Sequence, residues 1–152
     1  MTEASKIPVR DFMTKAIISI DASTGANVAA KMMEKAGVGS VIVTENNKPI
    51  GIVTERDFAV RIVAYAYPTH TKITQIMSSP IIHVTPTESI LEVADLMATK
   101  KIRKMPVLEN DDVIGIITAT DMLHLFTLLT EEDFKKVYSN FLTKIYEQNV
   151  AT

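Results

Sequence analysis

The sequence predicts an α/β (α+β) fold of two repeated β-α-β-β-α units packed as a pseudo-twofold pair, followed by a C-terminal amphipathic helix. Three observations carry that expectation. The stretch GIVTERD at residues 51–57 returns as GIITATD at 115–121, 64 positions later. The same offset aligns residues 9–62 with 73–126 without a gap, placing Met13 on Met77, Ala30 on Ala94, Met33 on Met97 and Val43 on Val107. A fixed offset sustained over that length marks a duplicated supersecondary unit. Beyond the repeat, Phe134, Val137, Tyr138, Phe141, Leu142, Ile145 and Tyr146 fall on one side of a helix.

Each unit has the same internal order. A short apolar strand, Ile17 to Ile20 or Ile81 to Val84, leads into turn and cap residues, Asp21 to Thr24 or Thr85 to Thr87. Thr87 suits a helix N-cap. The helix that follows is expected to bury Ala26, Ala29, Ala30 and Met33 in the first copy and Ile90, Val93, Ala94 and Met97 in the second. Two strands come next, joined by Glu45-Asn46-Asn47-Lys48 and by Glu109-Asn110-Asp111-Asp112. Gly51 and Gly115 lie inside the last strand, where a missing side chain marks close approach of another group. A second helix opens near Glu55 or Ala119. One copy buries little apolar surface alone, so strands of both copies should share an interior. The expected divisions are 7–66, 73–126 and a terminal helix over 130–148.

Composition narrows the function. The chain of 152 residues is 47% hydrophobic and 22% charged, with a formal net charge of −2. A surface built wholly for DNA or an anionic membrane is therefore not expected, and any anion site must be local. Absence of cysteine excludes disulfides, thiolate catalysis and cysteine-ligated metals. The first fifteen residues carry no signal-peptide core. The apolar run at 59–67 is short and contains Arg61, so no membrane span is expected. A cytoplasmic protein fits these features.

The T-x-x-D of each copy has two readings. A threonine followed three residues later by an acid is close to a capping box, and Thr130 to Asp133 shows the same spacing with no glycine-bearing strand before it. Thr54/Asp57 and Thr118/Asp121 instead follow a strand directly and recur at equivalent positions. A strand-to-helix turn is where ligands meet helix N-termini. A carboxylate can accept two hydrogen bonds from vicinal ribose hydroxyls, and threonine offers a hydroxyl to ribose or phosphate. Capping and binding are compatible, and both remain open on the residues alone.

The duplicated unit ending in G-h-h-T-x-x-D resembles a pair of cystathionine-β-synthase (CBS) domains, over about residues 7 to 126. The resemblance implies a stand-alone regulatory module, non-catalytic and homodimeric, that senses adenosine-containing ligands in a cleft between the copies. It implies a primary site of Thr54, Asp57, Ile82, Arg103 and Met105, with Ile82 and Met105 lining the adenine pocket. The reciprocal site joins Thr118 and Asp121 with Ile18, Val38 and Gly39. Arg103, with Arg56, would serve phosphates, because a guanidinium donates two parallel hydrogen bonds. The Asp57 site is therefore expected to take AMP, ADP or ATP, with any Mg2+ arriving alongside the phosphates, and the Asp121 site to be weaker.

S-adenosylmethionine is a competing ligand on the same resemblance, and a structural dimerisation module with vestigial sites is the rival from another class. Nucleic acid is the third alternative: Lys100-Lys101-Ile102-Arg103-Lys104 is basic, but no aromatic residues are interleaved for stacking. His70, His83 and His124 show no metal-ligand spacing. No phosphate-binding loop or nucleophile motif is present, so no enzyme is expected. The terminal stripe is expected to cover its own module, a dimer mate or a separate effector protein.

Overall fold

The computed structural model describes residues 6–126, together with Glu131 and Lys135. Its elements run β1 (Ser19–Asp21), α1 (Ala26–Ala36), β2 (Ser40–Glu45), β3 (Lys48–Thr54), α2 (Glu55–Asp57), a π-helical segment Phe58–Ala64, α3 (Ile90–Lys100), β4 (Lys104–Glu109), β5 (Asp112–Thr118) and α4 (Ala119–Phe126). The order read from the sequence is complete in the first copy; the second repeats its α-β-β-α part without the first strand. The helix expected over 130–148 lies outside the described residues, apart from Glu131 and Lys135. Those two are helical and pair across one turn at 2.8 Å.

The chain folds into two compact units. The larger comprises residues 14–84 and 105–116, and the smaller, among described residues, 6–13, 85–104 and 117–126. These units do not follow the repeat boundaries, because the copies exchange a segment. Thr14 and Ile116 exchange both backbone hydrogen bonds, each 2.8 Å. Ser78 and Ile52, which occupy the equivalent places 64 residues on and back, do the same at 2.9 and 3.2 Å. All four residues lie in the larger unit, so the approach to each copy's first strand pairs with the other copy's last strand.

Within the larger unit β2 is covered on both faces. It runs parallel to β1 and antiparallel to β3, with Val41 opposite Val53 and Ile42 opposite Ile52. Side chains alternate along a strand, so Val41 and Val43 join Val53, Ile20, Ala29 and Met33 in one cluster. Ile42 turns the other way, to Ile52 and Ile116. Burying each such side chain contributes roughly 1.5–3 kcal/mol. Residues of both copies share this second cluster, as the repeat led us to expect.

The β2–β3 connection is a two-residue turn in which Asn46 and Asn47 have φ of 50° and 61°, and Asn110 and Asp111 repeat it at 51° and 68°. Positive φ at both central residues is the type I′ turn that matches strand twist, and asparagine and aspartate tolerate it. Gly51 is required by the exchanged segment. A Cβ there would lie 2.6 Å from Met77 Sδ and 2.8 Å from the Ser78 carbonyl oxygen.

Three local expectations need correction. The second copy has no first strand over Ile81 to Val84, only a parallel bridge between Val84 and Val107. In the first copy the Ile42 N–H donates to the Ile18 carbonyl at 3.0 Å. The residue equivalent to Ile42 is Pro106, which has no N–H to donate. The cap of α3 is Ser89 rather than Thr87. Glu92 Oε2 accepts from the Ser89 N–H at 2.7 Å and from its hydroxyl at 2.9 Å, completing a capping box. Thr87 has Ile90 three residues on and no such partner. Finally, Ala30 is exposed, although Ala26, Ala29 and Met33 are buried as expected.

In the smaller unit α3 buries Ile90, Val93 and Met97 and packs against α4, which buries Met122 and Leu125. Val9, fully buried, donates its N–H to the Glu88 carbonyl at 2.9 Å and fixes the start of this unit.

Candidate functional site

Both T-x-x-D motifs sit where a strand hands over to a helix. Thr54 ends β3 in extended conformation, with φ −120° and ψ 166°, and caps α2. Asp57 Oδ2 accepts the Thr54 N–H at 2.8 Å and the Thr54 hydroxyl at 3.0 Å. The second copy reproduces this: Asp121 Oδ2 accepts from the Thr118 N–H and hydroxyl, each at 2.8 Å, and the Asp121 N–H donates back to Thr118 Oγ1 at 3.2 Å. The cap reading is therefore correct for both copies. It does not exhaust the carboxylates. In each the capping bonds converge on Oδ2, and no hydrogen bond among the described residues engages Oδ1. Asp57 and Asp121 are both half-buried, and no unbonded side-chain oxygen of the described residues is sealed from solvent, so Oδ1 remains reachable.

The chain approaching each motif comes from its own copy. Glu55 N–H donates to the Gly39 carbonyl at 3.3 Å, and Ser40 lies opposite Thr54 in the β2–β3 ladder. In the smaller unit, Ala119 N–H donates to the Arg103 carbonyl at 2.9 Å. Gly39 is thus tethered beside Thr54, and Arg103 beside Thr118. The family resemblance joins each strand entrance to the opposite motif and gives no hint of this tether. Spacing carries no signal for it, because a backbone-to-backbone bond needs no particular side chain.

The other residues singled out in the sequence differ in their exposure. Arg56 and Arg103 are exposed, as a phosphate-binding arginine must be. Ile82 is 37% exposed, while Met105 is fully buried, so a ligand could reach Met105 only after a neighbour moved. Ile18 and Val38 are half-buried against the core of the larger unit. An open cleft of about 410 Å3 in that unit is lined by Val38 and Gly39 with Met33, Glu34, Glu55 and Phe58, among others. Glu34, Glu55 and Phe58 were not foreseen as lining; they enter because α1, the start of β2 and α2 converge there. Among the described residues, no group of three or more His, Asp or Glu side chains could hold a metal ion, and no helix is long and apolar enough to cross a membrane.

Comparison with known proteins decides the family. The chain matches the CBS domain twice, over residues 9–64 and 73–127. It belongs to the CBS-domain family.

A CBS-domain relative, the CBS domain-containing protein YhcV of Bacillus subtilis, is 27% identical over 142 residues, 93% of this chain and 97% of YhcV. An uncharacterized protein of Methanopyrus kandleri is 40% identical over 119 residues; the match covers 74% of this chain and only 60% of that relative. Among solved structures, the CBS domain pair of protein MJ0100, in complex with 5′-methylthioadenosine and S-adenosyl-L-methionine, superimposes with a TM-score of 0.72 at 27% identity. That match covers 79% of this chain and 95% of the other. The CBS pairs similar to this chain thus include one that holds adenosyl ligands.

Proposed function

We propose that this CBS pair is a non-catalytic regulatory module that binds an adenine nucleotide through Thr54 and Asp57. The observation that carries the reading is the half-used carboxylate. Asp57 holds the turn with Oδ2 alone and keeps Oδ1 for a ribose hydroxyl, at a strand-to-helix junction where helix N–H groups also favour anions. A ribose hydroxyl bonded to the charged oxygen is worth roughly 1.5–3 kcal/mol. Exposed Arg56 stands one residue away for phosphate. The adenosyl ligands held by the MJ0100 pair, which carry no phosphate, support the adenosyl part of that ligand. The module works as a cytoplasmic homodimer with no resident cofactor, and any Mg2+ arrives with the phosphates.

A specific observation favours a second assignment of the phosphate-binding arginine. The Ala119 N–H bond to the Arg103 carbonyl tethers the Arg103 backbone beside Thr118, which supports Arg103 serving phosphates at that motif rather than at Asp57.

Thermal unfolding of wild type, Asp57→Ala, Asp121→Ala and Arg103→Ala against AMP, ADP, ATP, NAD and S-adenosylmethionine tests both. A ligand at about 100 times its Kd adds roughly 2.7 kcal/mol, a rise of about 5–10 °C for a chain this long. A rise lost in Asp57→Ala supports the sensor. Arg103→Ala behaving like Asp121→Ala supports the second assignment. A panel without any rise, in protein shown to be folded, refutes nucleotide sensing.

A further inference from the structure

The two copies differ in the helix after the T-x-x-D. In the second copy α4 is a regular α-helix from Ala119 to Phe126. In the first, α2 lasts three residues and gives way to seven residues of π-helix, Phe58–Ala64, closed by a Tyr65 N–H bond to the Val60 carbonyl at 3.2 Å. A π-helix spans five residues per hydrogen bond instead of four and occurs mostly as a single turn.

The sequence explains which copy takes which register. Met122 and Leu125, three residues apart, are the buried anchors of α4. The residues aligned with them are Phe58 and Arg61. An α-turn from Phe58 would swing Arg61 towards the core of its own unit, at the position equivalent to that of Leu125 in the second copy, and burying an unpaired guanidinium is costly. Ile62, four residues on from Phe58, faces inward in either register, and the wider turn takes Arg61 further from that face. Phe58 and Ile62 both pack on the larger unit's core, and Arg61 stays exposed. The next side chains are left in water: Val63 is 75% exposed and Tyr65 66%, with Tyr67 packed loosely on Tyr65 at 6.5 Å between ring centroids. Ala66, between the tyrosines, is held at φ 54°, a left-handed conformation costly for alanine.

We propose that Phe58–Ala64 is a register switch, with the α-register of α4 as its second state. Passing from π to α removes the extra residue from the turn and rotates the following chain by about 100°. That turns Val63, Tyr65 and Tyr67 to a new face and relieves Ala66. The segment begins at the residue after Asp57, so a ligand drawing on Asp57 acts on its first turn. Only this last link, from ligand to switch, rests on the sensor reading.

The test uses the full chain, with amide and tyrosine resonances assigned by NMR and protection of each amide followed by hydrogen exchange. Arg61→Leu gives the first copy the second copy's anchor and is expected to displace resonances of residues 62–67 and transfer the Tyr65 N–H bond to residue 61. Arg61→Lys keeps a charge there and is expected to leave the wild-type pattern. If Arg61→Leu remains folded with wild-type resonances over 62–67, the switch is refuted. Titrating wild type with AMP, ATP or S-adenosylmethionine separates the two ideas. Movement of 62–67 in the direction of Arg61→Leu supports the switch as output. Binding reported at Asp57 with 62–67 unmoved overturns it and leaves the sensor standing. No binding by any of the three sinks the sensor, and the Arg61 pair still decides the switch.

Discussion

Asp57 restrains Thr54 with one carboxylate oxygen, Oδ2, which takes both the threonine N–H and its hydroxyl at 2.8 and 3.0 Å. Capping and binding are therefore separable by substitution. In Asp57→Asn the amide oxygen can still accept from the Thr54 N–H, but the charge is gone. We expect a melting temperature close to wild type and nucleotide affinity reduced about tenfold or more. Asp57→Ala removes the cap as well, and should also lower stability by about 1 kcal/mol. Calorimetric titration beside thermal melts distinguishes them; equal affinity of wild type and Asp57→Asn would remove the ribose contact.

Gly51 tests the exchange of segments. The backbone oxygen of Ser78, 2.8 Å from where an alanine methyl would stand, cannot swing aside as Met77 can, because the Ser78 N–H is bonded to the Ile52 carbonyl. Gly51→Ala should cost about 1–3 kcal/mol and raise hydrogen exchange at the Ser78 amide. An unchanged melt would mean the segment is not held against β3 in solution.

The helix ends supply an opposed pair. α1 closes with Gly37 at φ 65°, its N–H bonded to Glu34 and the Val38 N–H to Met33. α3 closes identically, but with Lys101 at φ 54°. Only glycine takes that conformation without steric cost. Lys101→Gly should therefore stabilise by about 0.5–1 kcal/mol, and Gly37→Ala should destabilise by about 1 kcal/mol. Denaturant midpoints read both; shifts of the same sign would contradict this account.

Acid stability should depend on Ser89. Hydrogen bonds from the Ser89 backbone N–H, and then from its hydroxyl, hold the Glu92 carboxyl below its ordinary value of 4.5. A depressed carboxyl contributes stability above its unfolded pKa and loses it as pH falls through the folded one. Because Glu92 is exposed, solvent screens the effect. Ser89→Ala should cost about 0.5–2 kcal/mol near neutrality, and the difference from wild type should shrink as pH falls below the ordinary glutamate range. Melts across that range measure it; a gap that widens towards low pH would rule out the Ser89–Glu92 box as its source.

Much of this protein is legible in one dimension. The offset between GIVTERD and GIITATD announces the duplication, Asn46-Asn47 and Asn110-Asp111 announce their turns, and the stripes through Met33 and Met97 announce α1 and α3. These are local matters: side-chain periodicity and tolerance of positive φ belong to a few neighbouring residues. Thr54 and Asp57 could likewise be picked out, though not which carboxylate oxygen does the capping.

Tertiary structure alone decided the rest. Which strand Thr14 and Ser78 join depends on backbone groups that every residue carries. The tether from Ala119 to Arg103 is hidden for the same reason. The missing strand before Val84 follows from Pro106, whose absent N–H matters only once a partner strand lies beside it. The register after Asp57 follows from Arg61, whose side chain is unremarkable until a core stands where an α-turn would send it. A sequence declares what each residue prefers; the fold decides which preferences must yield, because burial and pairing are settled by distant neighbours.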